Sequence, residues 1–95
     1  MSFKKMRGVR LDYYRQGLIY FTCANYKIMP EETKDRIKAV CSEVTYKRPE
    51  YYAPLFALMT ERYTVIKIAE QYYMSQETLY RLRKAFYETW YKIKS

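Results

Sequence analysis

The chain places only two glycines and three prolines among its 95 residues, and this scarcity limits its backbone more than any other feature. The tight turns of hairpins require positive φ or a preset φ, which Gly and Pro supply. With so few of them a strand-rich sandwich is disfavoured, and helices joined by short connections remain. The length suits one domain with a single modest core, too small for a catalytic domain and a regulatory one together. The expected fold is therefore all-α, a compact domain of four to five helices.

Apolar spacing locates the helices. Leu11, Tyr14, Leu18 and Phe21, with Ala24 or Asn25, recur at three and four positions and predict a first helix over about Leu11 to Asn25, this stripe facing the core. After a connection at Tyr26 to Met29, Pro30 with Glu31 and Glu32 is a helix start. A proline in the first turn costs no hydrogen bond, and carboxylates oppose the positive helix end. Ile37, Val40, Cys41 and Val44 carry that second helix to about Thr45. Pro49 and Pro54 leave two options: a helix that opens at Pro49 and kinks at Pro54, or a helix that begins near Ala53 or Pro54. In both, Leu55, Phe56 and Met59 face a core and the helix fades around Tyr63.

Eighteen Lys and Arg against ten Asp and Glu give a formal charge of +8, a field directed at a polyanion, with nucleic acid the first candidate. The excess is uneven. Residues 1–16 hold five basic and one acidic side chain, residues 17–60 six and five, and residues 61–95 seven and four. Both ends are basic. Residues 1–10 read as a basic arm, flexible or partly helical rather than core, whose Lys4, Lys5, Arg7 and Arg10 either lie on phosphates or simply solvate a terminus.

Two cysteines are too few for a disulfide framework, and apolar neighbours mark Cys23 and Cys41 as reduced, buried packing residues. With no histidine, the chain lacks the commonest general base and cannot assemble a four-ligand zinc site of the usual kind. No nucleophile, base and orienting group can be named together, so no catalytic residues, metal or cofactor are expected and the chain does not read as an enzyme. No apolar run approaches the roughly 20 residues that span a bilayer, and the basic start is not followed by a signal-peptide core. These features predict a cytoplasmic protein with no membrane partner.

The specific pattern begins at Thr64. A helix-turn-helix needs a small residue where its two helices cross, a three-residue turn, and apolar residues at fixed offsets. Ala69 is the small residue. Ile68 precedes it, and Tyr72, Met74, Leu79 and Leu82 follow it by three, five, ten and thirteen positions, so the motif spans about Thr64 to Tyr87. Ser75 is placed to cap the second helix, with Glu77 in its first turn. Tyr73 occupies the turn where a left-handed backbone favours Gly. With Leu79 and Leu82 inward, the second helix presents Gln76, Glu77, Tyr80, Arg81 and Lys84 outward, flanked by Thr78 and Arg83, and Ser75 stands at its start. Gln can pair with adenine, and Arg with guanine or phosphate. Lys67 on the first helix joins the phosphate contacts. An ordinary helical hairpin also satisfies these offsets, and the basic charge favours the DNA reading.

The span from about Tyr46 to Trp90, with Leu55 to Tyr63 as lead-in helix and IAEQYYMSQETLYRLRKAF as the motif, resembles region four of bacterial sigma factors and related small phage-encoded transcription regulators. It departs from them in lacking the turn Gly, and its N-terminal half carries no recognisable region two. The resemblance implies a recognition helix in the major groove of a promoter-like site and RNA polymerase as a partner, in a bacterial or phage-infected bacterial cell.

The sequence therefore divides into a basic arm (1–10), a helical support (11–47) and a helix-turn-helix part (48–95). The expected function is sequence-specific binding of double-stranded DNA as a transcription regulator, with a homodimer supplying enough contact. The alternative is a small phage-type adaptor or inhibitor that binds a protein such as RNA polymerase. Phe86, Trp90 and Ile93 continue the apolar stripe as core. The thirteen tyrosines could instead stack unpaired bases, but adjacent tyrosines on a helix point in different directions.

Overall fold

Local capping chemistry sets the boundaries of the helices in the computed structural model, which describes residues 3–93. Residues 1, 2, 94 and 95 of the expected arm and C-terminal part lie outside them. The described residues form five α-helices and no strand. Asp12 starts α1 (Tyr13–Ala24), its Oδ1 accepting from the Arg15 amide at 2.8 Å. Asn25 ends it, with Nδ2 donating to the Phe21 carbonyl at 2.7 Å. Pro30 precedes α2 (Glu31–Val44), whose first turn holds Glu31 and Glu32. At its end the buried Thr45 hydroxyl donates to the Cys41 carbonyl at 2.7 Å, which satisfies that polar group inside the core.

Pro49 and Pro54 also sit at starts. Pro49 opens a 3₁₀ turn (Pro49–Tyr51), and Pro54 lies in the first turn of α3 (Tyr52–Thr60), where its missing amide would have had no intrahelical acceptor. Pro54 therefore does not kink the helix. α3 ends at Thr60 rather than near Tyr63, and Thr60 Oγ1 returns a hydrogen bond to the Phe56 carbonyl at 2.7 Å. α4 (Val65–Tyr72) is capped by Thr64, and α5 (Gln76–Trp90) by Ser75.

Two apolar clusters hold these helices. The larger joins Ile19 and Cys23 of α1, Ile37, Val40 and Cys41 of α2, Leu55 and Met59 of α3, and Phe86, Tyr87 and Trp90 of α5. The smaller joins Ala57 and Leu58 of α3, Val65, Ile68 and Ala69 of α4, and Leu79 of α5. α3 and α5 contribute to both, with Leu82 packed against each cluster, so α5 is braced along its inner face. Its end is tied to α2 by Arg36, which donates to the Trp90 carbonyl at 2.6 Å and lies 4.5 Å from the Trp90 ring centroid. A cation that satisfies a last-turn carbonyl also favours the negative helix end. Both cysteines are buried and unpaired by disulfide, as their neighbours imply.

The structure corrects two readings of the N-terminal part. Of the stripe, Leu11 packs against the larger cluster, but the helical residues Tyr14, Leu18 and Phe21 do not face the core: Tyr14 is 82% exposed, Leu18 61% and Phe21 48%. α1 instead buries Gln16, Gly17, Ile19 and Cys23. The helix is apolar on two faces, and spacing alone does not choose between them. The choice is made by Gln16, fully buried, whose amide accepts from the Met6 amide at 2.8 Å and donates to the carbonyls of Leu11 at 2.8 Å and Met6 at 3.3 Å.

The second correction concerns the basic arm. Phe3, Met6 and Val9 pack on the larger cluster, and Val9 is buried, so the segment is pinned to the domain by apolar contacts and by Gln16. Lys4, Lys5, Arg7 and Arg10 remain exposed. The segment is a basic strap with an apolar underside. Gly8 turns it at φ +80°, a conformation that costs other residues roughly 1–2 kcal/mol.

Candidate nucleic-acid interface

The corner between α4 and α5 is made by three residues, Tyr73, Met74 and Ser75. The Met74 amide donates to the Ala69 carbonyl at 3.0 Å, and the Met74 side chain turns into the smaller cluster with Tyr72 and Leu82. Ile68, Ala69 and Leu79 form the buried centre of that cluster. Every residue that the spacing singled out for the crossing therefore packs in one place. Ala69, with no side chain beyond Cβ, is itself buried there.

Tyr73 adopts the left-handed conformation, φ 56° and ψ 45°, and is 96% exposed. The turn geometry usual for Gly is kept, with a strained Tyr at its apex. Replacing Tyr73 by Gly removes that strain and sacrifices no packed surface, so a gain of about 1 kcal/mol in stability is expected, offset in part by the entropy of Gly in the unfolded chain. Urea denaturation measures it. A loss of stability in Tyr73→Gly would show that the Tyr side chain makes a stabilising contact.

The outward face of α5 rises from its cap. Ser75 Oγ accepts from the Thr78 amide at 3.1 Å and lies 2.7 Å from Thr78 Oγ1, which in turn accepts from Arg81 Nη2 at 3.3 Å. These residues, spaced by three, form a hydrogen-bonded ladder that fixes the start of the helix and restricts Arg81. Ser75, Gln76, Glu77, Tyr80 and Arg81 are exposed, and Thr78 is half-buried.

The remaining expected residues are placed differently from one another. Arg83 is half-buried, its guanidinium 5.3 Å from the Tyr80 ring centroid and its Nε buried without a hydrogen-bond partner. It stiffens Tyr80 more than it extends the outward face. Lys84 is half-buried and reaches the strap: its Nζ lies 3.4 Å from the position a Cβ would take on Gly8. The strap bearing Lys4, Lys5, Arg7 and Arg10 thus abuts α5 at Lys84. Lys67 is exposed in the first turn of α4.

Two cations that sequence reasoning passed over also reach α5. Lys47 and Arg48, in the connection after α2, line an open cleft of about 390 Å³ with Tyr51, Thr78, Arg81 and Leu82. Their local signal was only a Lys-Arg pair before Pro49, in the part of the chain where charges nearly balance. Among the described residues, no group of three or more His, Cys, Asp or Glu side chains could hold a metal ion. No helix among them is long and apolar enough to cross a membrane.

Comparison with models of known protein families matches none of them, and comparison with curated proteins and with solved structures yields no match.

Proposed function

We propose that the chain is a sequence-specific double-stranded DNA-binding transcription regulator without enzymatic activity. In this reading the α4–α5 corner is a helix-turn-helix, and the first turns of α5 enter the major groove. The observation that carries it is the division of α5 into two faces. Leu79 is locked into α4 through Ile68 and Ala69, while Gln76, Glu77, Tyr80 and Arg81 project to solvent from the helix start. A major groove admits one helix, and its base edges are read from the N-terminal part of such a helix. Gln76 suits adenine, Glu77 the amino group of cytosine, and Arg81 guanine or a phosphate.

The basic strap beside Lys84 and the formal charge of +8 supply the sequence-independent attraction to phosphates. The resemblance to sigma region four adds a promoter-like site in a bacterial or phage-infected cell, and two copies would double a contact area that is small for one helix.

Binding to a randomised duplex library at increasing salt, with sequencing of the retained fraction, tests the proposal. A motif is expected to be enriched, and affinity to fall steeply with salt. Negligible retention at low salt would leave the corner as a scaffold and end the DNA reading.

One observation favours a second reading, an adaptor for a protein such as RNA polymerase. The outer face of α1 exposes Tyr14, Leu18 and Phe21 at helical spacing, an apolar surface of the kind that marks interfaces. Trp90 and Tyr87 do not contribute to it, being buried. Binding of purified RNA polymerase that is lost in Leu18→Ser, with DNA binding unchanged, would support that role.

A further inference from the structure

The cleft between the α2–α3 connection and α5 gathers three cations from two distant stretches of chain. Lys47 and Arg48 stand on one side with Tyr51, and Arg81 stands on the other with Thr78. Like charges drawn together repel, and the arrangement is relieved when an anion enters between them. A carboxylate already competes for one of them: Glu50 lies 3.4 Å from Arg48 Nε, in an exposed pair.

Two of the three cations are also preoriented by neutral groups. Arg48 Nη2 donates to the Tyr51 hydroxyl at 3.3 Å, with its guanidinium 5.4 Å from the ring centroid. Arg81 donates to Thr78 Oγ1 at 3.3 Å. Each guanidinium has five N–H donors, so most remain for a ligand. The Tyr51 hydroxyl proton is also free to be donated, because that oxygen accepts from Arg48.

We propose that this cleft seats the DNA backbone, with Lys47, Arg48 and Arg81 as ligands of phosphodiester oxygens on the strand that borders the groove entered by α5. The inference rests on the major-groove reading above and assigns roles within it. Arg81 grips backbone, and base discrimination falls to Gln76, Glu77 and Tyr80. Geometry supports the division: Arg81 leans into a concave wall shared with another element, whereas Gln76 and Glu77 stand at the tip of α5, where base edges are met.

The test measures fluorescence anisotropy with two duplexes, one carrying the selected motif and one scrambled, between about 50 and 200 mM salt. Lys47→Ala with Arg48→Ala should weaken both duplexes alike, on the order of tenfold or more. It should also reduce the slope of log affinity against log salt by about 2, since each phosphate contact contributes about 0.9. Arg81→Ala should also weaken both alike, with a slope smaller by about 1. Glu50→Gln, which removes the competing acid, should tighten both by about twofold or more, a gain that a folding defect cannot produce.

The inference is overturned if the double substitution leaves the slope unchanged, or if Arg81→Ala abolishes preference at one base pair while leaving the scrambled duplex untouched. Either result would leave the major-groove reading in place. Absence of binding by the unaltered chain to both duplexes would instead remove that reading, and this inference with it.

Discussion

Replacing Phe86 by Ala is expected to destabilise the chain by about 3–5 kcal/mol. Phe86 is fully buried in the cluster that joins α1, α2, α3 and α5, with its ring centroid 5.8 Å from that of Trp90. Truncation removes the burial of a ring and leaves a cavity that helices tied at both ends cannot close. Domains of this size are stable by only about 5–15 kcal/mol, so much of the total is at stake. The midpoint of thermal unfolding should fall by at least roughly 12 °C, taking about 4 °C per kcal/mol as the lower bound.

Leu18→Ala is the informative control. If the stripe read from spacing had been the core face, that change would cost about 2–5 kcal/mol. At 61% exposure it should stay within about 0.5 kcal/mol. A large loss at Leu18 together with a small one at Phe86 would reverse the packing described for α1 and α5.

Alkaline solution should destabilise the fold from about pH 9 upward. Burial pushes the thiol of Cys41 from an ordinary 9.0 up to about 12, raises that of Cys23 still further, and lifts the Tyr87 phenol from 10.0 to about 12. For Cys23 the nearby Cys41 adds to the effect of burial. The folded chain therefore holds protons that the unfolded chain releases above pH 9. A group raised in this way contributes stability fully present below its unfolded value and lost as pH climbs through its folded one.

From pH 9 to about 12 the free energy of unfolding should fall, each group contributing up to about 1.36 kcal/mol per pH unit once it is ionised in the unfolded chain. The two thiols act first and Tyr87 joins above pH 10. Urea titrations from neutral pH to about pH 11 measure the slope, and Cys23→Ala with Cys41→Ala should flatten its early part. Stability that does not change between pH 9 and 11 would place these groups in contact with solvent. Thiol reagents should accordingly label both cysteines only as fast as the chain opens, because the thiolate is the reactive form.

Local chemistry made much of this molecule legible. The start of α2 follows from Pro30, Glu31 and Glu32, and the start of α5 from Ser75. Each of these signals acts within one turn of helix, so a short window of sequence contains the whole interaction. The crossing of α4 and α5 was readable for a related reason. Ile68, Ala69, Tyr72, Met74, Leu79 and Leu82 lie close in the chain, and their offsets specify a corner that buries them together.

What sequence spacing left open depends on partners far apart in the chain. α1 is apolar on two faces, and the buried one is selected by Gln16, whose hydrogen bonds reach back ten residues to Met6. Those same bonds turned a basic arm into a strap with Phe3, Met6 and Val9 beneath it. Lys47 and Arg48 carry no sign of a site until α2, the 3₁₀ turn and α5 are packed and bring them beside Arg81. Helix starts and the α4–α5 corner are decided by short-range hydrogen bonds and spacing. The choice of face on α1 and the cleft beside α5 arise from contacts that exist only once the helices have met.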